Sequence, residues 1–311
     1  MIIRQWPCMP SVLAIATLYQ TVSWAASPTG DHVDERITLS EENKLLDIRT
    51  PGADLANFPN SAYTLPKGGF YLETAPYSMV GTSSNASWQF NAEYLLRYGL
   101  MNNWEIRLYS QGLSLQGKPD SALGFSPLTF DTKIHFWDEQ TDWYLPAAGL
   151  EMLLQTNLLG SPEFSSGLEP SFSFNFDQNI FWDLALEYNV GAARFQNPDD
   201  ISEQVWDVTL QWAVQHDITE DVALFINGYH NGASLPRFTR FAEKTTCSSS
   251  DPLTGICQVT GLAGNSYTQH VIGWGGIWTP NDNLSVFANL AAGLTSNSPQ
   301  YVTYAGFAWT P

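Results

Sequence analysis

Charged residues are scarce in this chain, and basic residues are the scarcest. Lys, Arg, Asp and Glu together make 14% of the 311 residues, against about a quarter in a typical soluble domain. The 13 bases face 31 acids, which gives a formal net charge of −18. Because binding to nucleic acid depends on Lys and Arg that neutralise phosphates, this balance excludes a nucleic-acid partner.

Long hydrophobic runs are missing as well. After residue 25, no stretch approaches the ~18 consecutive apolar residues that indicate a membrane-spanning helix. The sequence also has no glycine-rich phosphate loop, no cluster of metal ligands and no redox motif. We therefore expect no cofactor and no metal site.

Residues 1–25 are predicted to be a signal peptide, with a buried N-terminal helix as the alternative. Arg4 supplies a basic start, residues 11–22 are mostly apolar, and Ser23-Trp24-Ala25 fits the small-x-small cleavage rule. Cysteine is rare, and only Cys247 and Cys257 would remain in the exported chain. Since exported proteins keep disulfides, we predict a bond between these two.

From residue 69 onward the chain follows a period of two, which is typical of β-strands with unlike faces. In the stretch 88–112 the charged side chains all lie at odd positions, and most even positions are apolar. The same alternation predicts twelve strands, at about residues 69–77, 87–98, 104–112, 126–137, 143–157, 167–176, 180–193, 204–216, 222–230, 268–278, 284–294 and 300–309. The last strand reverses the parity, with Tyr301, Phe307 and Trp309 on its apolar face.

The polar face of these strands carries most of the charge. Its predicted members, which we interpret as lining a lumen, are Glu93, Arg97, Glu105, Arg107, Asp131, Lys133, His135, Glu151, Glu169, Asp183, Glu187 and Asp207. Acids outnumber bases here, so the lining should disfavour anions and favour cations or neutral solutes. The alternative is a ladder of charges in a plugged lumen. A first turn centred near Met101 would place Arg97 opposite Glu105 as an ion pair.

Alternation by itself fits both a soluble β-sandwich and a membrane barrel. In a sandwich the apolar faces pack together, whereas in a barrel they meet lipid. Three features favour an all-β, transmembrane, antiparallel up-and-down barrel: long strands, short turns at one end with long loops at the other, and aromatic residues around the short turns. The domain prediction is a signal peptide (1–25), an N-terminal periplasmic extension or plug (26–66) and an outer-membrane barrel (67–311).

Two stretches resemble the outer-membrane barrel family described as the putative MetA-pathway of phenol degradation. They are YGLMNNWEIRL (98–108) and GFSPLTFDTKIHFW (124–137), in which Gly124, then Pro127 or Asp131, and then Lys133 match the family's glycine, proline-or-aspartate and lysine positions. The resemblance covers about residues 60–311 and implies a transporter of the bacterial outer membrane. It implies the lipid bilayer and the outer-membrane assembly machinery as partners. That machinery reads a C-terminal aromatic residue in many barrels, and here Trp309 would have to serve from two positions inside the end.

Three functions follow from these patterns. The first is a passive channel for small solutes, including aromatic or hydrophobic compounds, with a structural or surface-binding barrel as the alternative. The second is a lipid hydrolase, for which His230 and His270 are the pair able to approach each other, although neither sits in a recognisable pattern with Ser. The third is a surface-binding role of the long loop 231–267. We expect a channel and not an enzyme.

Overall fold

A computed structural model describes residues 46–83, 87–118, 121–165, 167–196, 204–231 and 268–311. The predicted signal peptide and the predicted Cys247–Cys257 disulfide lie outside these residues. The strands are β1 (Phe70–Val80), β2 (Gln89–Met101), β3 (Trp104–Gln116), β4 (Ala122–Phe125), β5 (Thr129–Trp137), β6 (Ala147–Gln155), β7 (Glu169–Asn179), β8 (Leu184–Gln196), β9 (Gln204–Thr219), β10 (Val222–His230), β11 (His270–Asn281), β12 (Leu284–Gly293) and β13 (Tyr301–Trp309).

The strands form one closed antiparallel sheet, as predicted. Each strand pairs with its neighbours in chain order, and β1 closes the sheet by pairing with both β2 and β13. β4 and β5 both pair with β3, β4 along residues 113–116 and β5 along residues 104–109. They act as one interrupted strand, broken around Pro127, which has no N–H to give to a ladder. The barrel therefore has twelve strands.

Helix contributes little to the described part of the chain. Three short 3-10 turns occupy Thr141–Trp143, Pro162–Phe164 and Phe181–Asp183. Within the described residues, no helix is both long and apolar enough to cross a membrane.

The outward face of the barrel is apolar, and the predicted parity is confirmed along most strands. Large side chains such as Phe172, Leu210, Ile226 and Trp274 are exposed at even positions, whereas in β13 the exposed residues are odd-numbered. An exterior of this kind suits lipid, where closure also leaves no strand edge unpaired.

Two bulges shift the parity where sequence alternation predicts no change. In β1 the register slips between Thr74 and Tyr77, which turns Tyr77 outward. In β3, Ala92 of the neighbouring strand faces both Gly112 and Leu113, and Gly112 takes a φ of 63°. Glycine adopts this left-handed conformation at no steric cost, so the extra residue is accommodated here. Leu113 is exposed as a result.

The first turn is tighter than predicted. It consists of two residues, Asn102 and Asn103, between β2 and β3. The ladder aligns Arg97 with Arg107, so the predicted register is wrong. The predicted ion pair nevertheless forms across the diagonal, where Arg97 Nε lies 2.6 Å from Glu105 Oε1.

Candidate functional site: the barrel interior

The chain before β1 runs inside the barrel at its short-turn end. We call residues 46–67 the inner segment. Every residue from Asp54 to Ala62 is buried, and the segment forms no strand of its own. It is held by side chains of the wall, and its hydrogen bonds reach β1, β2, β5, β6, β7, β8 and β13.

Most of the predicted lining residues are enclosed. Eight of them are buried: Glu93, Arg97, Glu105, Arg107, Asp131, Lys133, Glu151 and Glu169. His135, Glu187 and Asp207 are half-buried. Asp183 does not line the interior as predicted, because it is exposed in a 3-10 turn before β8. Trp182 and Asp183 take φ values of 62° and 57°, which removes them from the strand and its alternation.

Asp54 of the inner segment is the centre of a buried ionic cluster. Its Oδ2 atom lies 2.6 Å from Lys133 Nζ, 3.1 Å from Arg107 Nη2 and 3.5 Å from Arg97 Nη1. Burial by itself would raise the pKa of Asp54, but these three cations outweigh it and lower the pKa below its usual range. Asp54 is therefore a carboxylate that ties the segment to three strands.

Four wall acids complete the cluster. Arg97 pairs with Glu73 at 2.9 Å and with Glu105 at 2.6 Å. Arg107 pairs with Glu151 at 2.6 Å and with Asp131 at 3.0 Å. With Asp54, five acids surround three bases. Each base therefore has at least one acid partner, as burial of a cation in a low dielectric requires, and the cluster has two more acids than bases.

The same wall acids accept hydrogen bonds from the inner segment. Glu73 accepts from the Leu55 N–H at 2.8 Å, and Glu105 accepts from the Leu65 N–H at 2.8 Å. Further along, Asp177 accepts from Ser61 Oγ at 2.6 Å. Asp177 comes directly after the predicted strand 167–176, but in the structure it belongs to β7 and points inward. These carboxylates replace the backbone partners that a segment without a ladder lacks.

The entry of the segment is fastened at the barrel rim by Arg49. Its guanidinium lies 2.7 Å from Asp221, 2.9 Å from Asp282 and 3.2 Å from Asp47. The hydrogen bond to Asp221 contributes most to raising the pKa of Arg49. These pairs are partly exposed, and pairs of this kind contribute little each.

One side of the interior is apolar, which the sequence pattern missed. The aromatic wall consists of Phe225 and Tyr229 on β10, Phe287 on β12 and Tyr304 on β13, all buried. Phe225 lies over Gly275 of the neighbouring strand, where a Cβ would collide with the ring. Phe287 covers Gly306 in the same way. The inward glycines leave room for rings, so an aromatic residue facing glycine is the sequence signal that could have revealed this wall.

A polar cavity of about 170 Å³ lies between part of the inner segment and strands β8–β12. Its acidic lining comes from Asp54, Glu187, Asp217, Glu220 and Asp221, and Arg49 is the base that lines it. The ionic cluster holds the segment against strands β1–β6, on the other side. A cavity of this volume has room for several water molecules.

The remaining candidate chemistry concerns histidine. His230 and His270 face each other on neighbouring strands, with their Nδ1 atoms 3.5 Å apart. Ser298 Oγ bonds the backbone of His270 and not its ring. Among the described residues, no group of three His, Cys, Asp or Glu side chains is placed to hold a metal ion.

Comparisons with known proteins agree on fold and family. The COG4313 outer membrane channel from Pseudomonas putida F1 superposes with a TM-score of 0.55 at 12% identity, over 81% of this chain and 99% of that chain. A NanC porin gives a TM-score of 0.44 at 7% identity, over 78% and 100%. The search of curated proteins finds no significant match.

At these identities the structural likeness describes the fold alone, which is that of an outer-membrane β-barrel. The sequence profile of the family described as "Putative MetA-pathway of phenol degradation" matches residues 53–310. The matched range includes the inner segment from Ala53 onward as well as every strand. The chain belongs to this family.

Proposed function

We propose that the protein is a passive channel for small solutes in the bacterial outer membrane. The observation that carries this proposal is the polar cavity beside the inner segment. The segment contacts the wall on several sides of a closed barrel, and polar space of about 170 Å³ remains between it and strands β8–β12. A barrel whose only role is structural has no need of such space.

The proposed location rests on the surface of the barrel. Its exposed apolar side chains need hydrocarbon, because in water they would form a far larger apolar patch than soluble proteins tolerate. The proposed partners are therefore the lipid bilayer and the outer-membrane assembly machinery, with Trp309 near the end of β13 as the aromatic residue that the machinery reads.

The acidic lining of the cavity supports a preference for solutes according to the sign of their charge. Glu187, Asp217 and Asp221 line it together with Arg49, whose charge is already matched by three acids. Fixed carboxylates at a narrow place attract cations and repel anions. We propose that the channel passes cations and neutral solutes in preference to anions.

The aromatic wall supports aromatic or hydrophobic compounds as the preferred solutes. Rings at a water-excluding surface bind apolar molecules, and polar groups nearby orient them. The solute class is thus proposed from the inward side chains of β10, β12 and β13, independently of the charges on β1–β8.

Conductance of the full chain in planar bilayers tests the channel. We expect small, cation-selective conductance in a KCl gradient. The double variant Asp217→Asn with Glu220→Gln should move the reversal potential toward zero, because two lining charges are lost. The control Glu163→Gln changes an exposed acid in the 3-10 turn Pro162–Phe164, and should leave the reversal potential unchanged.

Uptake of uncharged solutes by proteoliposomes gives the second readout. A wild-type barrel that is electrically silent and also takes up no solute would contradict the channel and favour a plugged, structural barrel. If the double variant and Glu163→Gln had equal effects on the reversal potential, the protein would still be a channel, but the acidic lining of the cavity would not determine its selectivity.

A further inference from the structure

Phe58, at the innermost part of the inner segment, packs on the aromatic wall. Its ring lies 5.0 Å from the ring of Tyr229 at an interplanar angle of 85°, and 6.4 Å from the ring of Tyr304 at 63°. Phe58 is 1% exposed. Both contacts are edge-to-face, a geometry that aromatic pairs prefer over a face-to-face sandwich and that stabilises them beyond their buried area alone.

The wall under this ring has polar groups as well. Asn227 is completely buried on β10, two residues before Tyr229 on the same face. Neither its Oδ1 nor its Nδ2 has a hydrogen-bond partner within the described ranges. A buried amide of this kind is costly unless something satisfies it. An unpaired donor and acceptor on the same strand face as Tyr229 can therefore pair with a ligand that has its own polar group.

The strands beside Asn227 carry small residues. Asn227 aligns with Gly273 on β11, and Gly273 aligns with Ala291 on β12. Ala291 packs closely on Gly273, where an added Cβ would lie 2.5 Å from the Ala291 Cβ, so the space for a solute ring is the space that Phe58 vacates beside Tyr229 and Tyr304. At its far side Asn289 Nδ2 donates to Tyr304 Oη at 2.6 Å, and Tyr304 Oη donates to the Ala56 carbonyl at 3.2 Å.

We propose that this inner wall is a binding site for a small planar aromatic solute that carries a hydroxyl or carbonyl group. Phe58 occupies the site in the solute-free protein as an internal competitor. The solute takes over the ring contacts with Tyr229 and Tyr304, and its polar group pairs with Asn227. This inference rests on the proposed function and deepens it, because solute binding would displace the centre of the inner segment.

The hydrogen bonds around Phe58 allow it to move while the rest of the inner segment stays in place. The neighbouring residues Asn57 and Asn60 are held by side chains, with Asn57 donating to Glu187 and Asn60 to Glu151, at 2.8 Å each. No backbone ladder has to break, and the ionic cluster at Asp54 can stay in place. Release of Phe58 would therefore widen the space next to the polar cavity and leave the entry of the segment fixed.

Binding to the full chain in detergent tests the site, with phenol as the probe and cyclohexanol as its aliphatic counterpart. Phe58→Ala should bind phenol about tenfold more tightly than the wild type, because no ring has to be displaced. Cyclohexanol should gain much less. Leu65→Ala truncates another fully buried side chain of the inner segment, in a separate cluster, and should not increase phenol binding.

Two further measurements separate specific binding from loosening of the segment. Adding Asn227→Leu to Phe58→Ala should remove the gain, since leucine is similar in size but cannot pair with a hydroxyl. In the wild type, phenol should speed amide hydrogen exchange of residues 54–62, and cyclohexanol should not. Equal gains for Leu65→Ala and Phe58→Ala, or equal gains for phenol and cyclohexanol, would overturn the proposal.

Failure of this site and failure of the channel give different results. If the wild type conducts potassium but folded Phe58→Ala, judged by its shifted mobility on unheated gels, binds no phenol, the site is wrong and the channel stands. If Phe58→Ala binds phenol as expected but neither protein conducts nor takes up solute, the site stands and the channel fails.

Discussion

Replacing Asp54 with Asn should release the inner segment from the barrel wall. The Asp54 side chain is 2% exposed, and its Oδ2 atom contacts Lys133, Arg107 and Arg97. Asn keeps the shape and also keeps an oxygen that can accept from the Ser61 N–H, which bonds Asp54 Oδ1 at 3.1 Å. The substitution therefore removes one charge and little else.

The expected loss of free energy follows from the ion pairs that remain when Asp54 is neutral. Three buried cations lose a shared partner, and removing one member of a buried ion cluster costs about 3–5 kcal/mol. The wall acids still compensate Arg97 and Arg107, so the cost falls mainly on Lys133. Since the segment forms no ladder with the wall, the loss should appear as detachment of the segment and not as unfolding of the barrel.

Two assays on the full chain measure this. Limited proteolysis or amide exchange should show residues 48–66 becoming accessible in Asp54→Asn, and conductance should rise as the interior clears. Thermal unfolding of the barrel should change little.

The matched control is Asp47→Asn, in the same segment. Asp47 makes a 3.2 Å pair with Arg49, but its side chain is 42% exposed. An exposed pair is worth about 0–1 kcal/mol, so the segment should stay docked. Equal behaviour of the two variants would refute the view that the buried cluster holds the inner segment.

Two other predictions concern the barrel itself. Leu210→Arg, on the outward face of β9, should cost about 2–4 kcal/mol in refolding into lipid, whereas Ile218→Arg near the end of the same strand should cost about 0–1 kcal/mol; equal costs would contradict the assigned depth. Gly275→Ala should destabilise the barrel by about 1–3 kcal/mol, since its Cβ would lie 2.3 Å from the Ala288 carbonyl oxygen and 2.4 Å from the Phe225 ring. Gly276→Ala meets its nearest atom, of Leu224, at 3.1 Å, and should be milder in urea unfolding; the reverse order would argue against packing of Phe225 on Gly275.

The amino-acid sequence alone was enough to predict the barrel. Side chains alternate strictly across a strand, so the two-residue period assigns each position to the lipid side or the interior without knowledge of strand partners. Residues such as Leu210 and Trp274 are outward as that period requires, and the strand count of twelve is confirmed. The prediction fails at Gly112 and Asp183, because a bulge or a left-handed turn changes the period without a compositional signal.

The contacts inside the barrel could not be predicted without the tertiary structure. The sequence left open whether the residues before β1 enter the barrel, since nothing local links Asp54 to Lys133, 79 positions away. It also missed the aromatic wall, because the period places residues such as Phe225 and Tyr304 on the inward face but does not show that β10, β12 and β13 bring their rings together. Periodicity reports which face a residue is on, but only the three-dimensional arrangement decides which residues from distant strands meet there.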